Sequence, residues 1–251
     1  MTELGQKAIV LRRSPIVTTI LVIGNKLYSS WSMRPWLLLR HSGIAFDEVV
    51  VPLRRAETGE TIRRHSPAGK VPVLIDDGLA VWDSLAICEY VGERWPEASV
   101  WPASPDSRAL ARSISAEMHS GFTALRRGCP MDLGRRFAER DRGEEVARDV
   151  ARIEAIWSEA RQHFGEATGE PFLFGAFGAA DAMYAPVVTR FETWGIRVGD
   201  ASRRYMDAVL ALPAYRDWRD GALREEWTIE FGDETETLVA DLRAKLSAER
   251  A

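Results

Sequence analysis

Cysteine is all but missing from this sequence: Cys88 and Cys129 are the only two in 251 residues. Two thiols build neither a disulfide framework nor a zinc-type ligand set, and such scarcity fits a reducing cytoplasm. The four histidines, His41, His65, His119 and His163, are scattered without ligand spacing, so no metal is expected. No apolar run approaches the roughly 18 residues that a membrane helix needs, and no membrane partner is expected. Residues 1–17 hold Lys7, Arg12 and Arg13 among short apolar pieces, which reads as an N-terminal extension rather than a signal peptide. Charge of one sign is also lacking. The net charge of -4 at pH 7 offers no electrostatic attraction to nucleic acid or an anionic membrane. With 28% charged and 46% hydrophobic residues the chain is too apolar for general disorder, and it is long enough for one large domain or two modest ones.

Taken in order, Thr18 to Ile23 is β-branched and apolar, a buried strand ended by Gly24-Asn25. Tyr28 to Pro35 is a loop running into a helix, with Ser32 as the expected cap and Pro35 in the first turn. Trp36 to Leu39 bury that helix, and Ser42-Gly43 stops it. Phe46 to Leu53 reads as a second strand, and the polar stretch Glu57 to His65 has weak helical character. Val71 to Ile75 and Leu79 to Trp82 are two short strands about the turn Asp76-Asp77-Gly78. Pro72 has no ladder hydrogen to donate, so it belongs at a strand start, where a cis bond is also affordable. Leu85, Cys88, Val91 and Trp95 then fall on one helical stripe, with Asp83-Ser84 where a cap belongs. A helix start with exposed amides beside a hydroxyl is an anion site. Strand, helix, strand, helix, strand, strand, helix is an α/β layer with a mixed sheet, the thioredoxin-like pattern.

Pro96, Pro102 and Pro105 punctuate a stretch rich in alanine, serine and acid, which reads as a linker. Beyond it, strand alternation disappears. Ser107 to Arg126, Gly143 to Phe164, Ala179 to Trp194, Ala201 to Leu212 and Pro213 to Glu225 all have helical spacing. The end, from Asp233, is charged and helix-prone. The predicted organisation is an extension (1–17), a thioredoxin-like α/β domain (18–97), a linker (98–106) and an all-α domain (107–251).

Lys70-Val71-Pro72 followed by Trp82-Asp83-Ser84-Leu85-Ala86-Ile87 resembles the glutathione-binding half of the soluble glutathione transferases. In that family a cis-proline at the Pro72 position lets the preceding residue, Val71 here, pair backbone to backbone with the cysteinyl part of glutathione. The acid-serine pair, Asp83-Ser84 here, holds the γ-glutamyl end. Ser29-Ser30-Trp31-Ser32 resembles the serine-serine-cysteine loop of the zeta class, with Trp31 where the cysteine would be. That substitution counts against zeta-type isomerisation and against disulfide chemistry. Phe174 to Asp181 resembles the motif at the start of the family's central helix, except that Gly178 stands where a serine or threonine caps.

The resemblance implies a cytoplasmic, homodimeric enzyme that presents glutathione as a thiolate to a small electrophile, with glutathione as co-substrate and no metal. Ser29 and Ser30 are the leading thiolate donors, with Tyr28 as rival. Trp31, Ser32, Lys70, Val71, Pro72, Asp83 and Ser84 are the expected glutathione contacts, although Asp83-Ser84 read alone is a plain cap and Lys70 a solvated charge. Trp31 is a wall of the site or a core anchor. Arg34 faces the same choice as Lys70, a glutathione carboxylate or solvent, and is left outside the site; His119 lies on a helix that in the family faces the second-substrate pocket and reads as a surface or core histidine. The alternatives are a glutathione-dependent isomerase of the maleylacetoacetate type and a non-catalytic binding module of the same fold.

Overall fold

The structure is a computed structural model that describes residues 19–229 and 235–244. The expected N-terminal extension and much of the charged tail lie outside the described residues. Strand β1 (Thr19–Gly24) is central in a four-stranded sheet of order β2-β1-β3-β4. It runs parallel to β2 (Asp47–Val51) and antiparallel to β3 (Val73–Asp76), which pairs antiparallel with β4 (Leu79–Trp82). This is the mixed sheet that the order of elements predicted. The β3 ladder begins at Val73 rather than Val71 because Pro72 has no N–H to contribute. Asp77 and Gly78 both have positive φ, 50° and 85°, as a two-residue type I′ hairpin turn requires.

Alternation along β1 serves two cores. Leu21 and Ile23 face helix α1 (Ser30–His41) and helix α3 (Ser84–Arg94), whereas Val22 joins Val51, Val73 and Ile62 of helix α2 (Thr58–Arg63). The second half is helical: α4 (Pro105–Ser120), α5 (Thr123–Gly128), α6 (Glu144–Ala160), α7 (Ala179–Thr193), α8 (Asp200–Ala211) and α9 (Pro213–Leu223). One predicted helix, Ser107 to Arg126, is split at Gly121-Phe122, where Phe122 takes a left-handed φ of 56°.

The expectation of helices alone in this half needs one correction. Strand β5 (Arg135–Phe137) pairs antiparallel with β6 (Leu238–Asp241). Neither strand has an alternating pattern to reveal it, and the pairing is held by tertiary contacts. Glu236 pairs with Arg140 at 2.7 Å and Arg142 at 3.0 Å, Arg142 lies over the Trp194 ring, and Phe137 stacks on Trp194 at 4.5 Å.

Helix α7 lies at the centre and packs against α1 and α4. The Ala179 N–H donates to the Val100 carbonyl at 2.8 Å, and a side chain at Gly178 would meet that same carbonyl at 2.8 Å. This is why glycine replaces the usual hydroxyl cap. Asp181 takes over, accepting from Gly178 N at 2.9 Å and Leu173 N at 3.0 Å with one carboxylate oxygen each.

Burial pushes the Asp181 carboxyl up from 3.8 to about 6, against the pull of those two amides. Between these values the folded chain binds more protons than the unfolded one, so this group's contribution to stability falls as pH rises to about 6 and is flat above. Asparagine offers one acceptor oxygen for two amides. Asp181→Asn should therefore cost about 1–2 kcal/mol at pH 7. Urea unfolding should find a larger deficit at pH 4.5, where the wild type gains from protonation and the mutant does not. An equal deficit at both pH values would contradict this account.

Candidate functional site

The loop before α1 is held by the helical half of the protein. Glu225 accepts from Lys26 N at 2.6 Å and Leu27 N at 3.2 Å, Trp218 Nε1 donates to the Lys26 carbonyl at 3.0 Å, and Leu133 N donates to the Leu27 carbonyl at 3.2 Å. So fixed, the chain enters α1 three residues earlier than its sequence suggested. Ser29 is the N-cap, its Oγ accepting from Ser32 N at 3.4 Å, and Pro35 is the sixth helical residue rather than one of the first turn. Ser32 is fully buried. Its Oγ accepts from Gly24 N at 3.0 Å and lies 2.7 Å from Ser29 Oγ, so this side chain cannot touch a ligand directly. Ser30 Oγ faces α7, where Arg190 Nη2 donates to it at 3.1 Å.

A second helix start lies opposite. Asp83 caps α3, its Oδ1 accepting from Leu85 N at 2.8 Å and Ala86 N at 3.4 Å. The residue has φ 75°, a strained conformation for aspartate that directs its carboxylate over the helix end. Its Oδ2 lies 3.1 Å from His119 Nε2 of α4. The Ser84 hydroxyl accepts from Arg34 Nη1 at 3.3 Å, and Arg34 is only 1% exposed. The Trp31 ring lies between the two helix starts, with the Arg34 and Arg126 guanidinium carbons 4.3 and 4.6 Å from its centroid and the His119 ring edge-on at 5.2 Å.

Between these elements is a cavity of about 730 Å³ lined by Trp31, Leu53, Ile62, Ala68, Gly69, Lys70, Val71, Pro72, Trp82, Asp83, Ser84 and His119. Trp31, Lys70, Val71, Pro72, Asp83 and Ser84, picked out from the sequence, thus share one cleft. Ser29, Ser30 and Ser32 do not line it. The Val71–Pro72 peptide bond is cis. Tyr28 faces away, among the Ile229 backbone, Asp132 and Arg135, and burial raises its pKa. Burial also pushes the Cys88 thiol up to about 12 and the Cys129 thiol up to about 11, so neither is a thiolate at neutral pH. No group of three or more potential metal-ligating side chains occurs among the described residues, and none of their helices is long and apolar enough to cross a membrane.

Two residues of the site were missed in the sequence. Arg34 had a usable signal, a lone charge inside the apolar run Met33 to Leu39 and four residues after Ser30, where a helix aims it inward. His119 had no local signal, only the family resemblance that puts its helix beside the second-substrate pocket, and the docking of α4 onto α3 brings it to Asp83.

Comparison with known proteins gives a consistent result. Residues 28–94 match the family model described as glutathione S-transferase, N-terminal domain, and residues 143–221 match its C-terminal domain, together more than half of the chain. A probable maleylacetoacetate isomerase of Caenorhabditis elegans is 35% identical over 103 residues, 39% of this chain and 48% of that protein. Glutathione S-transferase U16 of Arabidopsis thaliana is 26% identical over 89% of this chain and 94% of its own length. Among solved structures, a Burkholderia glutathione transferase homologue with bound glutathione has a TM-score of 0.62 at 24% identity, covering 83% of this chain and all of that one. An unclassified glutathione S-transferase of Bombyx mori has a TM-score of 0.65 at 18% identity, covering 82% and 94%.

The contact between His119 and Asp83 makes a measurable electrostatic claim. Burial lowers the His119 pKa, Asp83 pulls it up, and Arg34 and Arg126 push it down. In Asp83→Asn the upward pull is gone, so the His119 ring signal followed by NMR should titrate at lower pH than in the wild type. An unmoved titration would mean that the two side chains are apart in solution.

Proposed function

The chain belongs to the glutathione S-transferase family, and from that premise we propose that its cleft binds glutathione and delivers the sulfur as a thiolate to a small electrophile. The observation that carries this reading is the convergence of two helix N-termini, those of α1 and α3, on one cavity bordered by the strand edge at Val71–Pro72. An extended tripeptide needs an open backbone edge, its carboxylate needs a helix start, and its thiolate needs another. In this assignment Val71 pairs with the cysteinyl backbone, Asp83 and Ser84 hold the γ-glutamyl end, and Lys70 faces the other carboxylate. Trp31 walls the site.

Neither candidate donor lines the cavity, and of the two we favour Ser29. Ser30 Oγ is engaged by Arg190 on the side of α7, whereas Ser29 caps α1. Hydroxyl protons rotate to suit their partners. Ser29 Oγ donates to Ser32 Oγ at 2.7 Å, and Ser32 Oγ also accepts from Gly24 N; turning the Ser32 proton towards Ser29 reverses that bond and frees the Ser29 proton for the sulfur. Ser32 then acts through Ser29. The thiol proton leaves to solvent, and the α1 dipole adds to the stabilisation of the anion.

A glutathione-dependent isomerase, in which the thiolate adds and leaves again, is the second reading, favoured by the 35% identity to the Caenorhabditis elegans protein across 103 residues. A binding module without catalysis is the third, and retention on immobilised glutathione followed by turnover of an electrophile panel separates the three. By family likeness we also infer a cytoplasmic homodimer.

The donor assignment is tested by the absorbance of bound thiolate against pH. Ser29→Ala should raise the bound thiol pKa by about one unit or more, about 1.4 kcal/mol of lost stabilisation, with activity beginning to rise at correspondingly higher pH. Ser32→Ala should give a smaller rise and Ser30→Ala little change. A large rise in Ser30→Ala alone would transfer the donor role to that residue.

A further inference from the structure

Three guanidinium groups meet beneath the cleft from three helices: Arg34 of α1, Arg126 of α5 and Arg190 of α7. Arg34 and Arg126 share the Trp31 ring, while Arg190 donates to Ser30 Oγ and, at 2.7 Å, to the Cys129 carbonyl. Arg126 donates to the Met118 and His119 carbonyls. No carboxylate among the described residues is in ion-pair contact with any of the three, and the acids that attract them, Asp83 for Arg34 and Asp149 for Arg126, do so from farther away. Arg34 also keeps its buried Nε without a hydrogen-bond partner. An unpaired charge taken out of water is costly, and like charges nearby add to the cost. The cost is visible in acidity: burial, then Arg126 and Arg190, push Arg34 down to about 9, and burial, then Arg126, pushes Arg190 down to about 10.

The charge has one route to the cavity. A guanidinium group has no acceptor, so the Ser84 oxygen receives the bond from Arg34 and its own proton must be donated elsewhere. Ser84 lines the cleft at the first position of α3, where its N–H also lacks an intrahelical partner. The leading amides Leu85 N and Ala86 N are taken by Asp83, which leaves the Ser84 hydroxyl and amide as a pair of donors backed by a buried cation.

We propose that Arg34 is a positioning residue whose missing counter-ion is the ligand's γ-glutamyl carboxylate, reached through Ser84, so that the free protein holds an uncompensated buried charge which binding neutralises. This rests on the glutathione reading. It also accounts for an arginine buried in the stretch Met33 to Leu39 of α1 with no acid in ion-pair contact: a permanent internal partner would compete with the ligand.

The test uses Arg34→Met, which keeps the bulk and removes the charge, and Arg34→Lys, which keeps a charge. The ligands are glutathione and S-methylglutathione, which retains both carboxylates and has no thiol. In Arg34→Met the urea midpoint of the free protein should equal or exceed that of the wild type. Affinity for both ligands should fall tenfold or more, and in parallel. Arg34→Lys should recover most of it. A loss confined to glutathione would overturn the proposal, because the charge would then serve the sulfur, and so would a lowered midpoint with affinity intact. If Arg34→Met is too unstable to titrate, Arg34→Lys decides: near-wild-type affinity in a folded protein supports the proposal, and a tenfold or greater loss overturns it. A wild-type protein that binds neither ligand would instead remove the glutathione reading itself, and this inference with it.

Discussion

Helix α1 is buried from Ser32 to Leu39, and the polar side chains of that stretch and of Ser30 meet partners inside the protein, the Arg34 Nε excepted. That constraint organises the site. Ser32 is satisfied by the end of β1, Ser30 by Arg190 of α7, and Arg34 by Ser84 of α3. Each of these bonds ties the first turn of α1 to a different element, so the position of that turn is set by the sheet, the helical half and α3 together. The loop ahead of it is fixed by the helical half through Glu225, Trp218 and Leu133. Preorganisation of the cleft and packing of the fold are therefore the same set of contacts.

The electrostatics of the cleft follow from how those contacts divide. Positive potential comes from two helix starts and three guanidinium groups. Among the described residues, Asp83 is the one acid that lines the cavity. It is occupied by the α3 amides on one oxygen and lies against His119 on the other. Its left-handed backbone is the strained element of the site, held because α3 and α4 both engage its side chain. An anion entering the cleft meets donors already oriented, with little reorganisation left to make.

The helical half reaches the same end by a different local solution. Val100 approaches α7 so closely that no side chain fits at Gly178, and Asp181 assumes the capping role from within the helix, buried and bonded to two amides. The small sheet of β5 and β6 is a further case of tertiary contacts deciding local structure, since Glu236 is anchored by Arg140 and Arg142 rather than by any strand propensity in the segment.

What the sequence determined by itself is the order of elements and the outline of the cleft. Period-two and helical spacing located the sheet and the main helices, the absence of an N–H on Pro72 marked the strand start, and the Asp83-Ser84 cap marked a helix start, because each signal is local and written in adjacent residues. Tertiary structure decided the rest. Ser32 reads as a cap in the sequence and is a buried link because β1 ends beside it; Arg34, left out as a solvated charge, and His119, read as a surface or core histidine, join the site because α3 and α4 pack there. The physical reason is the same in each case. Which partner satisfies a buried polar group depends on elements distant in the chain, and no local pattern carries that information.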